Sequence, residues 1–254
     1  MKDLLRQIVV LFSILATLII NGLANALPFN GLTTGEISDR FQVYFVPAGY
    51  VFSIWGLIYL GLLAFAVYQA LPAQRTNPRL QAIGGWVVVG SLANSAWIFL
   101  WHYEQFPLTL LAMLILLLSL ILIYLKLDIG RRSVSKAENW LVHLPFRIYL
   151  GWITVATVAN VTTLLDYLQW DGFGLSAEVW FSLILIAILG IAGWVNTTRR
   201  DVAFTLVILW ALAGIAVKHS AVRAVVLPTW LTFALVSASL LLPVAGRHSK
   251  EIRA

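Results

Sequence analysis

Tryptophans and side-chain amides are the residues of this sequence whose types and positions suggest binding chemistry. Trp55, Trp97 and Trp152 lie deep within apolar segments, and each is close in sequence to an asparagine or a tyrosine. Indole rings bind flat apolar molecules through stacking and burial, while a few amides fix the orientation of such a ligand. The sequence therefore indicates a site for a flat hydrophobic molecule.

Three asparagines are compatible either with this ligand site or with contacts between helices. An amide that faces lipid is costly, so Asn25, Asn94 and Asn160 should face the interior of a helix bundle. If the odd-numbered apolar segments run outward, all three lie in the outer half of the bundle, where one cavity lined by amides and indoles would contain them. Amides between membrane helices also act as interhelical contacts worth about 1 kcal/mol each. A ligand site and interhelical contacts are equally supported by these residues alone.

Enzyme and metal motifs are mostly absent from the sequence. It has no phosphate-binding glycine-rich loop, no His-Glu-x-x-His pattern and no nucleophile elbow. Without cysteines, it has no disulfide and no thiolate metal site. None of the four histidines has a second histidine or a carboxylate at helical ligand spacing, so we expect no metal centre. These are His102, His143, His219 and His248.

The composition identifies the bilayer as the solvent for most of the chain. Of the 254 residues, 61% are hydrophobic and 11% are charged, whereas a soluble domain has about 25% charged residues. A soluble fold of this size cannot hide so much apolar surface. The net charge of +6 comes from residues in short connectors, so it reflects membrane topology, and we expect no nucleic-acid partner.

Eight apolar segments are long enough, or nearly so, to cross a bilayer. Lipid offers no partner for an open backbone, so these segments must be helices. We therefore predict an all-α polytopic bundle of about eight spans, with the seventh the weakest because it is short. The segments are residues 8–27, 46–71, 82–101, 107–125, 140–165, 177–195, 202–217 and 225–243.

Basic residues concentrate in alternate connectors, which predicts the orientation of the chain. An excess of lysine and arginine marks cytoplasmic loops, so both termini should be cytoplasmic. The basic residues on the predicted inner side are Lys2, Arg6, Arg75, Arg79, Lys126, Arg131, Arg132, Lys136, Arg199, Arg200, Arg247, Lys250 and Arg253. Those on the predicted outer side are only Arg40, Lys218 and Arg223.

Charge is otherwise rare in the predicted spans. Arg147 lies near the inner end of the fifth segment and Asp166 near its outer end, with nothing charged at mid-membrane. Intramembrane charge marks ion pathways and proton relays, so its rarity argues against an ion-coupled pump or a transporter of charged substrates.

The first segment has two interpretations. Lys2 and Arg6, followed by the apolar run 8–20 and by Ala24-Asn25-Ala26, are compatible with a cleavable signal peptide. Cleavage would leave seven spans in the same orientation, whereas retention gives eight. The longest outer connector, residues 28–45, is long enough to fold over the mouth of the bundle, or it is simply a solvated connector.

Three motifs in the first five segments resemble the tryptophan-rich sensory protein / translocator protein family (TspO/MBR). That family's second helix carries Pro-Pro-x-Trp and then Trp-x-x-Leu-Tyr, its third helix Asn-x-x-Trp, and its fifth helix Tyr-Leu-Ala-Trp-x-x-x-Ala-Thr-x-x-Asn. The corresponding stretches here are Pro47-Ala48-Gly49-Tyr50-Val51-Phe52 with Trp55-Gly56-Leu57-Ile58-Tyr59, Asn94-Ser95-Ala96-Trp97, and Tyr149-Leu150-Gly151-Trp152 with Ala156-Thr157 and Asn160. Tyr50 replaces a tryptophan and is one residue too close to Trp55, which rotates a helical position by about 100°.

The resemblance covers roughly residues 8–166 and implies a five-helix core, residues 1–176, followed by a three-helix extension, residues 177–254. It implies binding of porphyrins or sterol-like molecules in an aromatic pocket, possible homodimers, and no required cofactor. The pocket residues that it implies are Tyr50, Trp55, Tyr59, Asn94, Trp97, Trp152 and Asn160. A bacterial inner membrane is the expected location.

Four functions are compatible with these observations. We place first a membrane sensor or binding protein for a flat hydrophobic ligand such as a tetrapyrrole. The alternatives are a transporter of a lipophilic molecule, a light-dependent porphyrin-degrading enzyme, and a structural subunit whose aromatic residues only pack helices.

Overall fold

The computed structural model describes residues 2–27 and 29–242, and within these ranges the regular structure is entirely helical. A 3₁₀ turn, Gly49–Ser53, leads into the third helix, and a π turn, Asn139–His143, leads into the seventh. In chain order the helices are α1 (Lys2–Ala26), α2 (Thr34–Asp39), α3 (Ile54–Ala70), α4 (Pro78–His102), α5 (Phe106–Lys126), α6 (Lys136–Glu138), α7 (Leu144–Tyr167), α8 (Ala177–Arg199), α9 (Val202–Lys218) and α10 (Arg223–Ser239).

The predicted spans correspond to eight apolar helices. In the described ranges, six segments have the length and apolarity needed to cross a membrane: α1, α4, α5, α8, and α3 and α7 with the turns that precede them. The remaining two, α9 and α10, are apolar helices of 17 residues each, which is about 26 Å of helix. The chain is therefore a polytopic helical bundle, and the short seventh span predicted from the sequence is the short helix α9.

Five helices form a closed ring. Helix α4 packs between α1 and α5, α7 packs on α5, and α3 closes the ring by contacting both α7 and α1. The first helix contributes buried Val10, Ile14 and Ala24 to this ring, and Gln7 Nε2 donates to the Gln69 carbonyl on α3 at 2.6 Å. Helix α1 thus forms one side of the ring.

Helices α8, α9 and α10 pack on one another and join the ring where α9 lies along α7. Gly151 on α7 permits this approach, because a Cβ atom there would lie 3.1 Å from the Phe204 carbonyl oxygen. Below this contact, buried Asp201 caps α9 by accepting from the Phe204 N–H at 3.1 Å. The same carboxylate accepts from the Tyr124 hydroxyl of α5 at 2.8 Å. Close backbone packing and one buried carboxylate thus fix the extension to the ring.

Ion pairs connect the loops that the sequence places on the same side. Arg40 pairs with Glu104, and Lys218 Nζ lies 2.7 Å from Asp39; this end of the molecule is called the outer end. Arg79 pairs with Glu138 at the opposite, inner end. The pairing agrees with the alternation of loops predicted from the sequence.

One expectation about a polar residue is wrong. Asn25 does not face the bundle interior: it is exposed at the outer end of α1, where its amide donates to the Asn21 carbonyl of its own helix. Arg199 is the last residue of α8, and its Nη1 donates to Asp128 and to the Ile129 carbonyl, both at 3.0 Å. The predicted cytoplasmic C-terminus, with Arg247, His248, Lys250 and Arg253, lies outside the described residues.

Candidate functional site

A small enclosed cavity lies at the outer end of the ring, beneath α2 and between α3, α4, α5 and α7. We call it the tryptophan cavity; its volume is about 50 Å³. Its surface is almost entirely apolar, which suits a hydrophobic ligand. It is lined by Thr34, Ser38, Val46, Pro47, Phe52, Trp55, Trp97, Trp101, Met113, Trp152, Val155, Ala156, Ala159, Asn160 and Thr163.

Four indole rings form the walls of the cavity. Trp97 and Trp101 are one turn apart on α4 and stack with their centroids 5.3 Å apart. On the opposite wall, Trp55 from the start of α3 meets Trp152 of α7 edge to face at 6.2 Å. Helical spacing places Trp97 and Trp101 on one face of α4, and both pairs of rings line the same cavity.

Two of these indoles present unused hydrogen-bond donors. The Nε1 atoms of Trp97 and Trp152 are buried and have no partner, whereas Trp101 Nε1 donates to the Thr34 carbonyl at 3.1 Å. A buried donor without a partner costs about 1–3 kcal/mol, and such groups in native proteins call for an explanation. Since both indoles line the cavity, a bound acceptor atom would satisfy them.

One amide also lines the cavity. Asn160 is 4% exposed, and its Oδ1 accepts from the Thr109 hydroxyl of α5 at 3.3 Å. This hydrogen bond joins α7 to α5 beside the cavity.

Helix α2 covers the mouth of the cavity. Its first turn is closed by a capping box, in which Glu36 accepts from the Thr33 N–H at 2.7 Å and the Thr33 hydroxyl caps the Glu36 N–H. These hydrogen bonds, the backbone one above all, lower the pKa of the Glu36 carboxyl. Thr34 anchors α2 to α4 through Trp101 and through a 3.2 Å contact with His102 Nε2. Residues 29–45 of the outer connector thus fold over the bundle as a lid.

A hydrogen-bonded layer of polar side chains lies beneath the cavity. Asn21 Nδ2 donates to Asn94 Oδ1 at 2.7 Å, and Asn94 Nδ2 donates to the Tyr149 hydroxyl at 2.8 Å. All three residues are at most 5% exposed. The layer joins α1, α4 and α7 and separates the cavity from the inner half of the ring.

Comparison with known families assigns the chain. A family model described as "TSPO-like protein" matches residues 7–245. The chain belongs to this TSPO-like protein family. The match continues past residue 166, where the sequence resemblance was expected to end, and takes in all three helices of the extension. A search of curated proteins and a search of solved structures gave no match.

The TSPO-like chain brings four of its seven predicted site residues together at the cavity: Trp55, Trp97, Trp152 and Asn160. Two more stand directly behind it. Tyr59 stacks on Trp55 with the ring centroids 5.3 Å apart, and Asn94 belongs to the polar layer below. Tyr50 lies elsewhere: it is 48% exposed and meets Trp210 of α9 edge to face at 5.4 Å.

Sequence reasoning missed Trp101, which is not among the predicted site residues. Its place four residues after Trp97 puts both on one helix face, and that spacing is the signal that identifies it. Thr34 and Ser38 carried no signal, because only the folding of the connector brings them to the cavity. Across the described ranges, no group of three or more His, Cys, Asp or Glu side chains is placed to hold a metal ion.

Proposed function

We propose that this TSPO-like protein binds a flat hydrophobic ligand with hydrogen-bond acceptors, a porphyrin being the best candidate and a sterol-like molecule the next. The observation that carries the proposal is the pair of buried, unpartnered indole N–H groups of Trp97 and Trp152 in an aromatic cavity. A tetrapyrrole offers a flat apolar body for the indole faces and ring nitrogens or carboxylates for the donors. A structural role in packing alone leaves these donors unexplained.

Ligand entry requires the lid to move. The closed cavity of about 50 Å³ is far below the ~300–1,000 Å³ of sites for drug-sized molecules. Helix α2 has six residues and rests on α4 through the Thr34 contacts, so it is the smallest element whose displacement enlarges the site. Displacement of α2 is therefore the movement that the proposal requires.

The polar layer beneath the cavity supports binding in preference to transport. A transported molecule would have to pass between Asn21, Asn94 and Tyr149, and so break two buried hydrogen bonds of 2.7 and 2.8 Å. Lid movement at the outer end breaks the two buried Thr34 contacts, at 3.1 and 3.2 Å, and transport would have to break these and the polar layer as well. The binding function thus needs one mobile element, whereas transport needs two.

The proposed location is a bacterial inner membrane, with both termini in the cytoplasm and the tryptophan cavity toward the outer surface. Basic residues in alternate connectors support this orientation. Orientation matters for function, because it determines which side supplies the ligand.

The proposal is tested with a double variant, Trp97→Phe and Trp152→Phe, titrated with protoporphyrin IX in detergent. Phenylalanine keeps an aromatic surface but removes both donors. Each hydrogen bond contributes about 1 kcal/mol, so we expect the Kd from the porphyrin Soret band to rise about tenfold or more. The Soret band is read because removing tryptophans also removes the fluorescent reporter.

The matched control replaces two tryptophans outside the cavity, Trp140→Phe and Trp194→Phe, which are 64% and 63% exposed. This control should bind as the wild type does. Equal affinity in all three proteins, or no saturable porphyrin binding by the wild type, would contradict the proposed function.

A further inference from the structure

A second cavity opens at the outer end, between the ring and the extension. Its volume is about 210 Å³, and we call it the lateral cleft. It is bounded by the connector before α3, the outer end of α7, the α7–α8 connector and the start of α8. The side chains that matter here are Tyr44, Asp166, Trp170, Asp171, Trp180 and Phe181. No residue lines both the lateral cleft and the tryptophan cavity, so the two sites are independent.

The cleft has aromatic walls held in place by defined contacts. Trp170 and Trp180 lie 4.9 Å apart between ring centroids, inclined at 58°, and Tyr44 meets Phe181 edge to face at 6.0 Å. The Trp180 N–H donates to the Gly172 carbonyl at 2.8 Å. Since this N–H already has an acceptor, Trp180 can contact a ligand in the cleft through its ring but not through a hydrogen bond. Aromatic faces are the surfaces on which organic cations bind.

The charge in the cleft is entirely negative. Asp166 and Asp171 line it, and no lysine, arginine or histidine does. Across residues 2–27 and 29–242, neither carboxylate has a basic side chain within ion-pair distance. Asp171 Oδ1 accepts from the Phe173 N–H at 3.0 Å, which orients the carboxylate. Two carboxylates beside aromatic walls complement a cation with an apolar shell.

From this arrangement we propose that the lateral cleft binds an alkylammonium group. The ammonium would lie over the rings of Trp170 and Trp180 with Asp166 and Asp171 as counter-ions. The cleft is smaller than the ~300–1,000 Å³ sites of drug-sized ligands, which suits a small headgroup. Such a group has two sources at this depth: the headgroup of an outer-leaflet lipid, or a free quaternary amine.

The test uses the full chain in phosphatidylglycerol nanodiscs, which supply no ammonium lipid. Tetramethylammonium chloride is titrated at constant ionic strength, and its methyl protons are followed by saturation-transfer difference NMR against empty nanodiscs. We expect saturable binding. Loss of a counter-ion in Asp166→Asn, or of an aromatic face in Trp170→Leu, should weaken it about fivefold or more.

The matched control is Asp39→Asn, which neutralises a carboxylate at the same end that pairs with Lys218 outside the cleft. It should bind as the wild type does, and thermal unfolding identifies any variant that has not folded. Asp166→Asn and Trp170→Leu each test the proposal separately, so the test can be completed with whichever of the two variants folds. Absence of saturable binding by the wild type, or equal affinity in the control and the cleft variants, overturns the proposal.

A second lipid distinguishes the two sources. In phosphatidylcholine nanodiscs, a lipid headgroup that occupies the cleft would raise the apparent Kd of tetramethylammonium. An unchanged Kd would instead identify a free amine as the ligand. Either result supports the ammonium site, and neither depends on whether the tryptophan cavity binds a porphyrin.

Discussion

Neighbouring tryptophans on α4 differ in what their N–H groups do. The Trp101 N–H donates to the Thr34 carbonyl and so contributes to the contact between α4 and the lid helix α2. Trp97, one turn deeper, keeps its donor free, as does Trp152 on the opposite wall. The same residue type thus anchors the lid at one position and has a donor without a partner at the next.

The asparagines divide in a similar way. Asn160 lines the cavity, and Asn25 lies at the surface. Asn94 connects α4 to α1 through its amide oxygen and to α7 through its amide nitrogen. The structure therefore gives Asn94 partners on two other helices and places Asn160 at the cavity.

For Asn94 we expect an effect on stability and little effect on binding. Replacing it with leucine leaves the Tyr149 hydroxyl and the Asn21 amide without their partner, which should cost about 1–3 kcal/mol. The unfolding temperature measured in detergent should fall, while the folded protein should keep the porphyrin affinity of the wild type. Asn25→Leu, at an exposed position, should change stability by no more than about 0.5 kcal/mol.

A loss of binding without a loss of stability would contradict this expectation for Asn94. If Asn94→Leu lost porphyrin affinity at an unchanged unfolding temperature, Asn94 would contact the ligand directly. The polar layer would then be part of the binding site.

At the scale of elements, the lid is held by few interactions. Helix α2 is held by its capping box, by the Thr34 contacts with α4 and by the buried side chain of Ile37. The exposed pairs of Arg40 with Glu104 and Asp39 with Lys218 add to these contacts. Exposed ion pairs contribute little. An element held in this way belongs to the least stable part of a fold, from which mobile lids are drawn.

Weakening the capping box should therefore speed ligand exchange. In Glu36→Ala the Thr33 N–H loses its acceptor, and we expect the rates of both porphyrin association and dissociation, measured by stopped-flow absorbance, to increase. Asp3→Ala removes a carboxylate at the far end of α1 and should leave both rates unchanged. Equal rates in Glu36→Ala and the wild type would show that α2 does not gate the cavity.

The pH dependence of exchange follows from the same carboxylate. The pKa of Glu36 is lower in the folded lid than its ordinary value of 4.5. The ionised carboxylate therefore stabilises the lid fully above pH 4.5, and this stabilisation is lost as the pH falls through the folded pKa. Exchange by the wild type should accelerate in that acid range. Glu36→Ala should lack this acceleration, which separates titration of the lid from titration of the porphyrin.

At the scale of the whole molecule, the extension is attached to the ring through one helix. Gly151 occupies the position where the family motif has alanine. Because glycine lacks the methyl group of alanine, α9 can lie against α7 at this point. Gly214 makes a second close approach, since a Cβ atom there would lie 2.2 Å from Val51 Cγ2 in the turn before α3. Two glycines thus provide the close contact that positions the extension and, with it, the lateral cleft.

Orientation also belongs to the whole molecule, and the absence of cysteines makes it directly measurable. Ser133 and Ser220 are exposed residues in connectors at opposite ends. In intact cells, a membrane-impermeant maleimide should label Ser220→Cys and should reach Ser133→Cys only after permeabilisation. The cysteine-free parent is the blank, and the reverse pattern would invert the proposed topology.

Local chemistry in the sequence determined the membrane class, the eight apolar helices and their alternation. A spanning helix satisfies its own backbone within about 20 residues, and loop charges act independently of distant parts of the chain. For the same reason Trp55, Trp97, Trp152 and Asn160 could be selected, because each lies at a deep or inward position of its own helix.

Only the tertiary structure decided which of these groups have partners. Asn94 bonds across 73 residues of sequence to Asn21 and across 55 to Tyr149, and no local pattern encodes such a pairing. Tyr50 turns toward α9, and Thr34 reaches the cavity, only because distant helices pack beside them. A polar atom is free or satisfied according to what the fold places within 3 Å of it, and that is a property of the packed bundle.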